Sequence, residues 1–398
     1  MKITHIHIER FRGFQNEDFE VGSLLTAIAG QNGTQKSTLL GIITQTFTLK
    51  TEDSMRVEKP LCGGSYISAF KDKFRLSPTF DKPKGHEWTI SFDAGMDDFT
   101  VESIKRTGDP NVRFWKKGAR QEGDGYISFP TIFLSLKRLV PVAEEAKIIT
   151  DDTLLTQEEL NEFKQLHNKI LIAQTPISSA TTITSKNKQS IGVSTELYDW
   201  NQNSMGQDNL GKIILALFSF KRLHDKYPRQ YKGGILAIDE MDATMYPASQ
   251  VELLKVLRKY ASKLNLQILF TTHSMSLLKA MDDLVQEVTK KEETANQAKI
   301  LYLKKVDDKI AIKQGVNFKG IQLDLNVVAE GNNRKKNRIT AYTEDKENIL
   351  FVKAILKSKA FVLDFVDVTL PCSTLMELVT KRVPAFIYPY SIVVFRMP

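Results

Sequence analysis

The sequence predicts an α/β fold built on a largely parallel sheet with an antiparallel β subregion. Three observations predict it. Uninterrupted apolar runs at 24–29, 234–239 and 266–271 have no polar face, as strands buried on both sides require. Helical patterns at 206–224 and 247–262 alternate with these runs, which implies parallel pairing through crossover connections. Between about 60 and 130 the chain changes to short alternating runs rich in Gly, Asp, Lys and aromatics, such as Trp88–Phe92, the signature of antiparallel hairpins.

At 398 residues the chain is long enough for one large domain or two ordinary ones, and 42% hydrophobic content suits a packed core. No apolar stretch is long enough to span a bilayer. Residues 1–8 alternate like a strand and lack the apolar block of a signal peptide. Cys62 and Cys372 are the only cysteines and have no metal-ligand spacing, so the chain is expected to be cytoplasmic, with both as small buried hydrophobes. A net charge of +8 permits contact with nucleic acid without requiring it.

In order along the chain, 2–9 and 24–29 read as strands flanking the turn Phe11-Arg12-Gly13-Phe14. A helix is expected over 39–49 and a compact strand over 131–136. Thr156 with Glu159 three residues on forms a capping-box start for a further helix. Residues 175–195, rich in Ser, Thr, Asn and Lys, read as a mobile loop.

The most specific stretch is Gly30-Gln31-Asn32-Gly33-Thr34-Gln35-Lys36-Ser37-Thr38, between an apolar strand and a helix. Backbone N–H groups from Asn32 to Thr38 and the helix N-terminus can face phosphates, Lys36 can reach the β- and γ-phosphates, and Ser37 can ligate Mg²⁺. Gln35 stands where glycine usually precedes the lysine. Asp239 ends an apolar strand and can hold Mg²⁺ beside Ser37, while Glu240 is placed to polarise an attacking water. His273, just past the strand at 266–271, can hydrogen-bond a γ-phosphate. Ser204, Gly206 and Gln207 open the helix at 206–224, where a serine and backbone amides make an anion site.

These motifs, in this order, resemble an ABC-class ATPase of the RecF/SMC-like branch, and more narrowly the OLD-family and Septu-type antiphage ATPases. The matching pieces are Phe11–Phe14, Gly30–Thr38, Ser135–Pro141, Ser204–Gln207, Asp239–Asp242 and Thr272–Ser274. The resemblance implies an ABC-type ATPase head over 1–325, with a helical signature region at about 142–225. It implies ATP and Mg²⁺ as cofactors and Arg12 near the phosphates. It also implies a signature loop that completes the partner subunit's site, so that ATP links a homodimer or higher oligomer across a loop containing Asp242. No glutamine-loop residue stands out.

Residues 339–343, 344–356, 361–368 and 391–395 read as strand, helix, strand and strand. With Glu344 after the first strand, 326–398 is similar to the opening of a Toprim nuclease domain, degenerate or truncated. Glu344 reads equally well as an acid in a first helical turn capped by Thr343. A Toprim metal site needs an Asp-x-Asp pair after a later strand. Arg396 and Pro398 stand there instead, so the chain is not expected to be a nuclease itself. The basic run Arg334-Lys335-Lys336-Asn337-Arg338 is a solvated loop or a DNA contact.

Resemblance to the Septu type implies a separate HNH-type DNA nuclease subunit that this ATPase controls in a prokaryotic defence complex. The rival readings are an OLD-like nuclease, a RecF/SMC-like DNA-repair ATPase and an assembly protein that binds ATP with little turnover. The absence of sustained heptads between 140 and 200 argues against the repair reading.

Overall fold

The computed structural model describes residues 1–398 apart from 51–52, 67–72, 75, 94, 106–111, 120–123, 141–147, 152–153, 186–188, 331–338, 382, 384–390 and 395–398. In chain order the strands are β1 Ile3–Phe11, β2 Phe14–Glu20, β3 Leu25–Gly30, β4 Phe47–Thr48, β5 Glu87–Phe92, β6 Phe99–Lys105, β7 Val112–Lys116, β8 Ile127–Ser128, β9 Thr131–Leu134 and β10 Ile149–Asp151. They continue with β11 Ser179–Thr184, β12 Gln189–Ser194, β13 Gly234–Ile238, β14 Leu266–Thr272, β15 Ala298–Val306, β16 Lys309–Lys313, β17 Ile339–Thr343, β18 Leu363–Thr369 and β19 Ser391–Val394. The helices are α1 Lys36–Thr44, α2 Gln157–Leu171, α3 Met205–Lys226, α4 Pro247–Lys263, α5 Met275–Val288, α6 Phe318–Glu330, α7 Lys346–Leu356 and α8 Cys372–Thr380. Met1–Gln322 form one unit and Leu323–Pro398 another.

The fold is α/β, with mixed parallel and antiparallel sheets. In the first unit the central sheet runs β16-β15-β3-β14-β13-β9. Every pairing in it is parallel except β15 with β16. All residues of β3, β13 and β14 are buried, which is why these strands carry no polar face. Parallel pairing sends the loops after β3, β9, β13 and β14 out at one edge. Ligands of open α/β sheets bind at this carboxyl edge.

A second sheet, β2-β1-β5-β6-β7, is antiparallel throughout. Along β5 and β6 buried and less buried residues alternate, the period of a sheet with one face on the core. Phe11, Trp88 and Phe114 meet there edge-on or tilted around the buried His86. Each such fully buried side chain contributes roughly 1.5–3 kcal/mol.

Four expectations need correction. The segment 175–195 is not a loop: β11 and β12 form an antiparallel hairpin within it, extended by β10. Its Thr-Thr-Ile-Thr run is β-branched, which suits a pleated strand better than a turn. The region 142–225 is therefore not wholly helical, although α2 begins at the expected Thr156–Glu159 capping box. The helix expected to reach residue 49 ends at Thr44, and Phe47–Thr48 instead pair in parallel with β8. In the second unit, Asp345 rather than Thr343 caps α7, accepting from the Asn348 N–H at 2.8 Å. Thr343 is buried as the last residue of β17.

The second unit carries the parallel sheet β18-β17-β19. Glu344 follows β17, and its carboxylate accepts from the Cys372 N–H at 3.3 Å. The basic run 334–338 and residues Arg396 to Pro398 lie outside the described residues.

Candidate functional site

At the carboxyl edge of the central sheet, β3 ends in Gly30 and the chain loops through 31–35 into α1. Gly30 and Gly33 have φ of +152° and +80°, backbone that favours glycine. Asn32 and Gly33 are exposed at the tip, while Thr34 folds under it, its hydroxyl donating to the Gln31 carbonyl at 2.8 Å. Lys36 is buried, and its ammonium donates to the Gly30 and Gln31 carbonyls at 3.0 and 2.9 Å. Burial pulls the Lys36 pKa down to about 8, opposed by the nearby Glu240, Asp239 and Asp242. A cation folded onto its own loop's carbonyls is poised to exchange them for stronger anionic acceptors.

Gln35 caps α1 at φ 62°, ψ 32°, a left-handed conformation that explains why glycine is usual there. Its side chain turns toward the β1–β2 turn: a Cβ on Gly13 would lie 2.8 Å from Gln35 Nε2. Gln35→Gly removes left-handed strain of about 1–2 kcal/mol and loses this packing. The variant is expected to bind ATP undiminished and to melt within about 4 °C of the parent by calorimetry. A tenfold loss of affinity would show that the side chain itself serves the loop.

Ser37 and Asp239, 202 positions apart, meet directly: Ser37 Oγ donates to Asp239 Oδ1 at 2.8 Å. Thr271, on β14, donates to the same oxygen at 2.7 Å. A hydroxyl and a carboxylate beside a phosphate-type loop are the oxygen donors that Mg²⁺ prefers, so the residues fit that ion. Glu240 follows at φ 50°, its N–H donating to Thr271 Oγ1 at 2.6 Å. His273 lies past the end of β14, its N–H donating to Asp242 Oδ1 at 3.3 Å. Desolvation lowers the His273 pKa, with the Lys36 charge second. Lys36, Ser37, Asp239, Glu240 and His273 are thus gathered at one sheet edge.

Arg12 is paired with an acid. Its Nε and Nη2 make a bidentate pair with Asp81 at 3.1 Å each, and His86 Nε2 lies 3.0 Å from the same carboxylate. Gly13, next to Arg12 in the β1–β2 turn, is what abuts Gln35.

Ser204 and Gln207 cap α3 reciprocally: the Ser204 N–H donates to Gln207 Oε1 at 2.8 Å, and the Gln207 N–H to Ser204 Oγ at 3.3 Å. Gly206 is pressed against the turn after β13, where a Cβ would come 2.5 Å from the Thr244 carbonyl oxygen. Only glycine allows that approach. Around this helix start, Leu197, Met205 and Tyr246 are exposed.

Two buried polar residues were given no site role by the motif reading, although Arg138 lies inside the matching piece Ser135–Pro141. Arg138, in the 3-10 turn Leu136–Leu139 after β9, is 1% exposed, and burial lowers its pKa to about 10. Asn209, on α3, is fully buried and holds its Nε–H. A signal existed for Asn209: it shares the i, i+4, i+7 stripe with Ile213 and Ala216, the face that packs inward. For Arg138 the piece Ser135–Pro141 marked the position without a role.

Among solved structures, an SMC head domain from Thermotoga maritima is 14% identical, covering 79% of this chain and 100% of that one at a TM-score of 0.43. An SMC head bound to the C-terminal winged-helix domain of ScpA is 14% identical, covering 81% and 100%, at 0.48. A third, an Smc head with an extended coiled coil bound to the C-terminal domain of ScpA, derived from Pyrococcus furiosus, is 13% identical, covering 82% and 99%, at 0.43. Likeness at these scores carries no weight for function. No curated protein matches the chain. Residues 1–189 and 136–278, well over half of the chain and the whole of the site, match the AAA ATPase domain family, and the chain belongs to that family.

Proposed function

We propose that this chain binds Mg²⁺–ATP at Gly30–Thr38 and hydrolyses it, acting as the ATPase subunit of a prokaryotic antiphage complex that controls a separate HNH-type DNA nuclease. The observation that carries the ATPase reading is the 2.8 Å contact between Ser37 and Asp239, which closes a loop, a lysine and two acids into one site. Ser37 and Asp239 would hold the Mg²⁺, which neutralises phosphate charge when bound. Lys36 leaves its loop carbonyls for the phosphates. Backbone N–H groups of Asn32 to Thr38 and the α1 N-terminus receive phosphate oxygens. Glu240 orients water and accepts its proton, and His273 contacts the γ-phosphate from the rim.

Support for an ATP-linked dimer comes from the α3 start. Ser204 is exposed and Gln207 half-buried, with Gly206 packed beneath them, and Leu197, Met205 and Tyr246 are 80%, 42% and 82% exposed. Apolar side chains clustered around a helix N-terminus suit a surface that a second copy covers over bound nucleotide. The defence role and the nuclease partner rest on the order of motifs from Phe11 to Ser274 and their resemblance to Septu-type ATPases. In that reading 326–398 is a Toprim-like remnant, and DNA contact through 334–338 is secondary.

The purified chain is expected not to cleave DNA with Mg²⁺ or Mn²⁺, because in the sequence Arg396 and Pro398 take the positions where the Toprim pattern has its Asp-x-Asp pair. Cleavage should appear on adding an HNH-type nuclease subunit and vanish when that partner is catalytically dead. Cutting by this chain alone, lost in Glu344→Ala, would favour the OLD-like reading instead.

A further inference from the structure

A buried arginine is costly unless its donors are used, and Arg138 uses them on three separate elements. Nε donates to Asn209 Oδ1 at 2.7 Å, Nη2 to the Glu240 carbonyl at 2.7 Å, and Nη1 to the Leu134 and Ser135 carbonyls at 3.3 and 3.1 Å. All four acceptors are uncharged oxygens. The guanidinium therefore balances Asp239, Glu240 and Asp242 through space. Asn209 completes a ring by donating from Nδ2 to the Ala243 carbonyl at 3.0 Å. One turn earlier on the same helix, Gly206 packs on Thr244. The first turns of α3 are thus fastened to residues 240–244 at three points.

Glu240 needs such fastening. At φ 50° its backbone is in the left-handed region without being glycine, so neighbouring contacts must impose it. Thr271 holds its N–H and Arg138 holds its carbonyl. A shift of α3 would act on the Arg138–Asn209 bond first and on the peptide of the catalytic acid next.

We propose that Arg138 and Asn209 are positioning residues that set the Glu240 backbone and couple it to the start of α3, so that what engages Ser204–Gln207 regulates hydrolysis at the Lys36–Asp239 site. This rests on the ATPase reading above. Neither residue touches the phosphates in this role, so binding and turnover should separate.

The test compares wild type, Arg138→Gln, Asn209→Ala and the double variant for Mg²⁺–ATP affinity by calorimetry and for kcat and KM by phosphate release. Each single variant should bind ATP within about threefold of wild type while kcat falls about 30-fold or more. The double variant should fall no further than the weaker single, because both cut one chain of contacts. Should Arg138→Gln fail to fold, Asn209→Ala, which keeps the guanidinium, carries the same expectation. Folded variants with wild-type kcat, or losses that multiply in the double variant, would overturn the coupling role. Wild-type protein that neither binds nor hydrolyses ATP, with Lys36→Ala indistinguishable from it, would remove the ATPase reading and the coupling role together.

Discussion

Glu240→Gln is expected to keep ATP bound and to lose turnover by about 100-fold or more, the usual worth of a positioned general base. The structure explains why the variant should fold. The hydrogen bonds described at this residue use backbone atoms: its N–H donates to Thr271, and its carbonyl accepts from Arg138 and from the Ala243 N–H. Glutamine preserves them and meets no additional steric penalty at φ 50°. What it loses is the carboxylate that accepts a proton from water. If ATP joins two copies through the α3 start, blocked hydrolysis should also collect the protein as an ATP-bound dimer or higher assembly. Phosphate release measures the first effect and sedimentation with ATP the second. Equal turnover in variant and parent would refute the catalytic role, and rates near zero in both would favour a nucleotide-gated assembly protein.

Legibility of this site in the sequence followed the range of its interactions. The loop at Gly30–Thr38 could be read because strand, glycine turn and helix are contiguous, and β3, β13 and β14 could be read because strands buried on both faces leave unbroken apolar runs. The Thr156–Glu159 cap spans three residues and was equally plain. The role of Arg138 was opaque, although its motif was not, because the two partners that join α3 to Glu240 lie 71 and 102 positions away and no local pattern announces a contact at that distance. The β11–β12 hairpin was hidden for a different reason. Threonine and serine serve turns and strands alike, and pairing across Thr182 and Ile191 decides between them. Arg12 shows the limit of a motif: the resemblance implies a place near the phosphates, and nothing local pointed to Asp81, 69 residues on, which takes its guanidinium.

The central claim is that Lys36 meets the phosphates of ATP in the loop Gly30–Thr38. Its ammonium is spent on two carbonyls, Gly30 and Gln31, in a buried position that penalises its charge. Phosphate oxygens are better acceptors, and a charge-assisted contact of this kind contributes roughly 1.5–3 kcal/mol. Alanine at this position removes the cation and leaves the helix start, its propensity and the loop glycines in place. The decisive measurement is a calorimetric titration of Mg²⁺–ATP into wild type and Lys36→Ala of equal melting temperature. The account predicts saturable binding to wild type and an affinity about tenfold or more weaker in the variant. Undiminished affinity in a folded Lys36→Ala protein would contradict it.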